Sequence, residues 1–540
     1  MKEIIIDLLS KELKGKLKKE EVENLVEIPP NDELGDYAFP CFSLAKIEKK
    51  SPLLIAEELK EKLKLPKEVS NANAVAGYVN FFVDKKILAE GVLSGVGKVK
   101  KRKGRILLEH TSINPNASPH VGRARNALIG DSIKRILEFV GHKVETHYYV
   151  NDVSKQIAML ALVFKPKDKF GDLLKNYMEV SKKVKENPKL EKDVFDLLNK
   201  FENGDKKTVA LFGMIVKKAI DGQKKILSSI EINFDSFDYE SAYINEGKKI
   251  VKDLQKTGKV FEDENGRLVL DQKGVGLEKK MKCPVLVLTR GDKTGLYVLR
   301  DLAYTIDKMK EGRNVVVLGE DQKLYFEQLR EALKLLKKKA PEVVHYSFVL
   351  LKNVGKMSTR KGDVVLLEDF LKELINKAKK EVKKRGTKGD ANKIAIAALK
   401  YSMLKVGANQ TITFDLNEAM SFEGDTGPYL LYSYARASSI LKKVKSKKKV
   451  KIVDLKKQEI ALLKKIGIFP EIVEKAYEGF APNLIANYCY ELASLFNEFY
   501  HECPVLGSDE EGFRLGLVGV FRGVMKKSLD LLGIDVVEEM

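Results

Sequence analysis

The sequence predicts a multidomain α/β protein: a doubly wound parallel-sheet domain with a small α+β domain before it and an all-α bundle after it. Three observations predict this. From residue 105 to about 345, short apolar runs alternate with amphipathic helical stretches, the pattern of a parallel sheet covered by helices. The first 90 residues mix helical periodicity with one strand-like run, and from about Lys393 to Met540 the periodicity is almost wholly helical. At 540 residues the chain is long enough for several domains of ordinary size.

Taken in order, Ile4, Leu8, Leu9 and Leu13 mark a first helix, Pro52 to Leu63 a second, and Val79 to Val83 a strand, which together make a domain over 1–95. Arg105 to Leu108 is a short apolar strand. After it, Val121, Ala124, Leu128, Ile133, Ile136, Leu137 and Val140 recur at helical spacing until Gly141 ends the run. Val144 to Val150 then reads as a second strand, completing a strand–helix–strand unit. Pro284 to Leu288, Gly295 to Leu299 and Val315 to Leu318 read as further strands of a domain over 105–345. A Lys- and Glu-rich helical insertion at about 165–230 interrupts it. Residues 346–392 connect this domain to the helical bundle of 393–540, which includes Gly427 to Ile440 and Ala486 to Tyr500.

Hydrophobic residues make up 44% and charged residues 32%, and no apolar run reaches the roughly 20 residues that span a bilayer, so no membrane segment is expected. The acidic, briefly apolar start from Met1 reads as a helix rather than a signal peptide, which predicts a cytoplasmic location. Cys41, Cys283, Cys489 and Cys503 are scattered without metal-ligand spacing, so free thiols and no structural metal are expected. The net charge of +20 points to a polyanion, RNA before DNA. Its densest runs are Lys98 to Arg105 and Lys442 to Lys451, for which a solvated lysine-rich surface is the alternative.

Between the first strand and its helix lies Glu109-His-Thr-Ser-Ile-Asn114-Pro-Asn-Ala-Ser-Pro-His120-Val-Gly122-Arg123. Amides at a helix start and the positive end of its dipole attract phosphates, Gly122 allows close approach to the backbone, and His120 and Arg123 supply donors. Taken singly, a solvated cap for His120 and surface charge for Arg123 are the commoner roles. This turn resembles the first signature of class I aminoacyl-tRNA synthetases, in the form seen in arginyl-tRNA synthetases, with Arg123 where a second His is usual. The string Lys356-Met357-Ser358-Thr359-Arg360-Lys361-Gly362-Asp363 resembles their second signature, with Thr359 in place of its second lysine. The similarity runs from Asn31-Asp-Glu-Leu-Gly-Asp-Tyr37 to Met540.

The resemblance implies a Rossmann-type catalytic domain and an arginine–tRNA ligase. Such an enzyme uses ATP to make arginyl-adenylate, then transfers the arginyl group to the terminal ribose of tRNA-Arg. His120, Arg123, Lys356 and Ser358 would be the catalytic donors, and Gly122, Gly319, Glu320, Met357 and Lys361 would complete the ATP site. Tyr297, Asp301 and Gln322 would surround the guanidinium, with Ser112 and Asn114 at the amino and carboxylate ends of arginine and Glu109 at the strand end. Asp301 can accept a bidentate guanidinium contact, although a helix N-terminal carboxylate is its ordinary role. The string Tyr148-Tyr149-Val-Asn151-Asp152 belongs beside this pocket without an assigned role.

By the same resemblance the first domain meets the dihydrouridine-loop corner of tRNA, where Asn80 and Phe82 offer an amide and a stacking face. Hairpin core for Phe82 and a turn for Asn80 are the alternatives. The final bundle is expected to bind the anticodon through Tyr429, Arg436, Tyr500 and Met540, with Tyr432 and Tyr434 as further aromatic faces or as helix core. ATP is expected with Mg2+ as a substrate complex, with no tightly bound cofactor, and the protein is expected to be a monomer. The family generally activates arginine only with tRNA present. With Thr359 in the place of a lysine, phosphate binding at that point falls to Arg360, Lys361 or Arg123, or is completed by tRNA. A noncatalytic tRNA-binding paralogue is the alternative that Arg123 and Thr359 keep open.

Overall fold

The computed structural model describes residues 1–352, 355–356 (backbone), 365–444 and 449–540. They form two compact units, one of Met1–Lys98, Arg436–Glu471 and Glu491–Met525, the other of Val99–Ala435, Ile472–Tyr490 and Lys526–Met540.

In the first unit the chain forms helices α1 (Lys2–Glu12) and α2 (Lys19–Leu25), strand β1 (Tyr37–Pro40), helices α3 (Phe42–Glu48) and α4 (Pro52–Lys62), strands β2 (Val69–Val75) and β3 (Tyr78–Val83), and helix α5 (Lys85–Ser94). Helix α4 starts where Ser51 Oγ accepts the Leu54 N–H at 3.3 Å and Pro52 occupies the first turn. The hairpin from β2 to β3 turns through Ala76 and Gly77, both at positive φ (52° and 85°), as tight hairpin turns require. Strand β3 is central, antiparallel to β1 and β2, and buries Val79, Phe81 and Val83 on one face.

The second unit begins with β4 (Arg105–Glu109), α6 (Val121–Phe139) and β5 (Lys143–Val150), continues through α7 (Lys155–Ala161), α8 (Phe170–Glu186), α9 (Pro188–Glu202) and α10 (Lys206–Ser228), and returns in β6 (Ser236–Tyr239). Then come α11 (Ile244–Gln255), strands β7 (Val260–Glu262), β8 (Leu268–Asp271) and β9 (Val285–Val287), α12 (Tyr297–Glu311), β10 (Arg313–Gly319), α13 (Lys323–Leu335) and β11 (Glu342–Tyr346). Five strands form a wholly parallel sheet in the order β11-β10-β4-β5-β6. Gly130 lets α6 lie close to the sheet, because a Cβ there would stand 2.2 Å from the His110 ring. The chain continues in β12 (Val349–Leu351), β13 (Gly355–Lys356), α14 (Leu367–Arg385), α15 (Ala391–Leu404), β14 (Ile412–Phe414) and α16 (Leu416–Ala419). It ends in helices α17 (Gly427–Lys442), α18 (Lys457–Gly467), α19 (Phe469–Gly479), α20 (Pro482–Glu502) and α21 (Glu511–Leu531). Within the first unit Phe496 and Phe521 stack at 3.8 Å and buried Arg514 pairs with Glu459 at 2.7 Å.

Three expectations need correction. Residues 285–287 are a strand, but of a separate antiparallel sheet, β7-β8-β9, and not of the parallel sheet. Residues 295–299 lead into α12: a five-residue apolar run fits a buried strand and the first turn of a buried helix equally, and here Val298, Leu299, Leu302 and Ala303 pack at helical spacing. The helical end of the chain also contains β14, paired parallel to β12. In the basic run at 98–105, two charges are answered within the chain: Arg102 pairs with Glu474 at 2.6 Å, and Arg105 with Glu145 at 2.6 Å and Glu311 at 2.7 Å. Of the second run, residues 445–448 lie outside the described residues. Cys41, Cys489 and Cys503 are buried, Cys283 is exposed, and none is in a disulfide. Among the described residues no helix is long and apolar enough to cross a membrane.

Candidate active site at the strand ends

In the order β11-β10-β4-β5-β6 the chain leaves β4 toward β5 and β6 on one side and later fills β10 and β11 on the other. The connections therefore diverge between β4 and β10, and the crevice beyond their carboxyl ends is where open parallel sheets hold ligands. Two turns flank it: 110–120 after β4, and the single turn Glu320–Gln322 after β10.

The first turn is strained and firmly held. Thr111 and Ser112 have φ of 75° and 42°, a left-handed conformation that non-glycine residues adopt only under constraint. The Thr111 N–H donates to Asn126 Oδ1 at 2.9 Å, and Asn126 Nδ2 donates to the Val317 carbonyl of β10 at 3.1 Å, which ties the turn to both strands of the crevice. Ser112 Oγ accepts the Tyr149 N–H at 3.3 Å. His120 is the N-cap residue of α6 without a side-chain cap bond, and Gly122 and Arg123 occupy the first helical turn, half-buried. The Val121 amide is not free for a ligand: it donates to the Val365 carbonyl at 3.1 Å, while the Leu367 N–H donates to the Pro119 carbonyl at 2.8 Å. The chain leaving the second signature is thus stitched to the first. Burial, and after it Arg123, pushes the His120 imidazole down to about 4, so at neutral pH it is a neutral donor and not a cation. Its Nδ1 and Asn151 Oδ1 are buried without a protein partner among the described residues.

On α12, Asp301 accepts from the Tyr325 hydroxyl of α13 at 2.5 Å, and the Tyr297 and Tyr325 rings lie 5.1 Å apart. Burial raises the Asp301 carboxyl to about 6; the Tyr325 and Tyr149 hydroxyls pull it down, and Glu109 pushes it up. Glu109, Tyr149, Tyr297, Asp301 and Tyr325 therefore form one cluster of acidic and aromatic side chains. Tyr297 is half exposed at its rim. Glu109 is not open: its carboxylate holds Lys308, whose ammonium lies 4.1 Å from the Tyr304 ring centre. Gln322 closes the turn after β10 and leads into α13, the helix that carries Tyr325. At Gly319 the Asp321 carboxylate lies so close that a Cβ would stand 2.4 Å from its Oδ1; Glu320 beside it is exposed. Asn114 is half-buried in the first turn.

Of the second signature, only the backbone of Lys356 is described, in β13; its side chain, and Met357, Ser358, Thr359, Arg360 and Lys361, lie outside the described residues. Asn80 is neither in a turn nor open. It sits in central strand β3 opposite Ala38 and Asn73 and is 4% exposed, while Phe82 is half-buried. Tyr500 is 39% exposed, with the Arg436 guanidinium 4.9 Å from its ring centre. Tyr429, 6.0 Å from Tyr490, and Met540 are half-buried. Tyr434 is no stacking face: it is buried and its hydroxyl donates to Glu538 at 3.2 Å.

Several site residues went unread in the sequence. Tyr325 is one turn beyond Gln322, a spacing that could have found it. Arg300 forms a buried ion pair with Glu240 at 2.6 Å, and its guanidinium lies 3.7 Å from buried Glu202 of α9. Arg125, fully buried, donates to the carbonyls of Ser347 (2.9 Å), Gln410 (2.6 Å) and Gly407 (2.9 Å), and so pins α6 to the segments around β12 and β14. These partners lie far from Arg125 in sequence, and no local pattern announces them.

Comparison with known proteins follows this geometry. Residues 2–83 match the arginyl tRNA synthetase N terminal domain, 85–416 the catalytic domain of class I (R) tRNA synthetases, and 430–540 the DALR anticodon binding domain. The chain is 38% identical to the arginine–tRNA ligase of Methanocaldococcus jannaschii, over 99% of this chain and 97% of that one. It is 36% identical to the arginine–tRNA ligase of Methanothermobacter thermautotrophicus, over 95% of each. Its structure is similar to the arginyl-tRNA synthetase of Thermus thermophilus, with a TM-score of 0.83, 28% identity and 99% of each chain covered. The Plasmodium falciparum arginyl-tRNA synthetase, at 19% identity and a TM-score of 0.81, shares the fold, with 99% and 98% of the chains covered.

Proposed function

The chain belongs to the arginyl-tRNA synthetase family and is an arginine–tRNA ligase, and from that premise we propose how its own residues carry the reaction. The carboxylate of arginine attacks the α-phosphorus of ATP, releasing diphosphate, and a 3′-terminal ribose hydroxyl of tRNA-Arg then attacks the acyl carbon of the adenylate, losing its proton as the acyl–phosphate bond breaks and AMP leaves. No covalent enzyme intermediate is required; positioning and stabilisation of phosphate charge supply the catalysis.

The half-buried Asp301 carboxylate carries the amino-acid assignment. Held by Tyr325 at 2.5 Å and lined by Tyr149 and Tyr297, it is a preoriented anion in a low-dielectric pocket, the environment in which a planar guanidinium is held in preference to an ammonium. Gln322 supplies an amide to the same guanidinium, and Glu109, its charge answered by Lys308, borders the site at the strand end. Ser112 and Asn114 meet the amino and carboxylate ends of arginine. His120 as a neutral donor and Arg123 as a cation grip the triphosphate, Gly122 and Gly319 let the nucleotide reach the backbone, and Glu320 takes the ribose. Lys356, Met357, Ser358 and Lys361 close on the phosphates from the second signature. Magnesium arrives with ATP as a substrate complex, since phosphate oxygens and water suit this ion.

Segments 1–95 and 393–540 are the tRNA-contacting modules on either side of the catalytic segment 105–345, with 346–392 carrying the signature loop. Phe82 meets the dihydrouridine-loop corner, and Tyr429, Arg436, Tyr500 and Met540 meet the anticodon. Asn80 contributes through its place in β3 and not as an open amide. The enzyme acts as a cytoplasmic monomer. The test is charging of purified tRNA-Arg with arginine, lysine, citrulline or glutamine, with and without ATP. Arginine-only, ATP-dependent charging is the expected result, and charging with citrulline at a comparable rate would overturn the Asp301 assignment. Diphosphate exchange should require tRNA; equal exchange without it would refute that dependence.

A further inference from the structure

Gln223 belongs to α10, in the helical insertion, about 100 residues from the first signature in sequence, yet it is 1% exposed and aimed at that signature's turn. Its Nε2 donates to the carbonyls of Asn114 (3.1 Å) and Ala117 (2.9 Å), and its Oε1 accepts from the Tyr148 hydroxyl at 2.8 Å. Two carbonyls at one end can be answered only by the NH2 group, so the amide has a single workable orientation. The Tyr148 hydroxyl in turn accepts the Ile113 N–H at 2.9 Å. Tyr148 is itself buried, its ring 5.2 Å from Phe237 and 5.0 Å from Phe234. One amide and one phenol thus fix the backbone of 113–117, immediately after the strained Thr111 and Ser112 and shortly before His120.

We propose that Gln223 is a positioning residue for the adenylation step: through Tyr148 it holds the 113–117 backbone so that Asn114 and His120 meet arginine and ATP in register. This makes α10 part of the active-site scaffold. The inference rests on the reading that the 109–123 turn binds arginine and ATP. A surface insertion has no need of a fully buried glutamine whose Nε2 faces that turn and whose Oε1 faces the phenol that also holds it. An unanswered buried carbonyl is costly, so without Gln223 the turn is driven to rearrange.

The test compares the full-length wild type with Gln223→Glu, Gln223→Leu and Tyr148→Phe in tRNA-dependent charging, measuring kcat and KM for arginine and ATP, tRNA affinity and thermal unfolding. Gln223→Glu keeps size and the acceptor for Tyr148 but turns a carboxylate oxygen toward two carbonyls. Its kcat/KM for arginine should fall roughly 10- to 100-fold at neutral pH. Protonation restores one donor, so its activity relative to wild type should rise from about pH 8 to about pH 6. Gln223→Leu should lose a similar factor with no pH dependence relative to wild type, and Tyr148→Phe, which removes one oxygen, should lose roughly 10-fold while folding normally. tRNA affinity should stay within about twofold in all three. The proposal is overturned if Tyr148→Phe and a folded Gln223 variant keep wild-type kcat/KM, or if the relative activity of Gln223→Glu does not respond to pH. It is also overturned if the losses appear in tRNA affinity instead. His120→Asn and Asn114→Ala separate the two levels: activity in both would sink the site assignment itself, whereas inactive site variants beside wild-type Gln223 variants would sink this inference alone.

Discussion

Asp301→Asn isolates the charge proposed to hold the guanidinium of arginine. The amide has nearly the shape of the carboxylate and can still accept from the Tyr325 hydroxyl, which lies 2.5 Å from Asp301 Oδ2, so the pocket survives. The variant gives up the anion and the second acceptor of a bidentate guanidinium contact. Two charge-assisted hydrogen bonds at about 1.5–3 kcal/mol each amount to about 3–6 kcal/mol, or roughly a 10²- to 10⁴-fold drop in kcat/KM for arginine. pH supplies a second signature. Burial raises this carboxyl from its ordinary 3.8 to about 6, and only the ionised form attracts the cation. Below pH about 6 the free enzyme carries a protonated Asp301, so wild-type kcat/KM for arginine should fall about tenfold per unit and level off above. Bound arginine pulls the carboxyl back down, so kcat at saturation should respond less. The variant should lack this limb. Initial rates of tRNA charging across about pH 5 to 8 measure both. A variant within about tenfold of wild type at neutral pH, or one with the same acid limb, would refute the reasoning.

Arg125→Met should destabilise the protein by about 3–5 kcal/mol in chemical denaturation, because a fully buried guanidinium and its three carbonyl bonds are lost together, with Arg125→Lys recovering part; a loss below about 1 kcal/mol would count against the clamp. Burial pushes His110 from 6.5 down to about 4. The folded value is the lower one, so the unfolded chain takes up the proton first: stability is full above about 6.5 and falls as pH drops toward about 4, by an order of 3 kcal/mol. His110→Asn should flatten that limb of the urea midpoint, and an unchanged slope would exclude His110 as its source. Tyr500→Ala should raise the tRNA KM by a factor matching about 1–3 kcal/mol of stacking while leaving those for ATP and arginine alone; an equal rise in all three would remove Tyr500 from the tRNA surface.

The strand–turn–helix around His120 was legible because its signals are local: an apolar run, a glycine-marked helix end, and donors clustered at the helix start. The helical insertion and strand β10 were legible for the same reason. The strands expected at 284–288 and 295–299 were misplaced because three to five apolar residues carry too little periodicity to distinguish a sheet strand from a hairpin strand or the first turn of a helix. Asn80 and Tyr434 show the matching limit on side chains. A polar or aromatic residue in sequence does not declare whether it faces solvent, and both are buried.

The sequence by itself determined the strand–helix–strand unit of the first signature, the two signatures and the family they belong to, because these depend on residues near one another in the chain. Only the tertiary structure decided that Gln223, Tyr148 and Asn126 hold the first turn, that Arg125 gathers three distant carbonyls, and that Asp301 is paired with Tyr325. Each of these is a buried or half-buried polar group answered from a remote part of the chain. Burial creates the need for a partner, and the fold alone decides which residue supplies it.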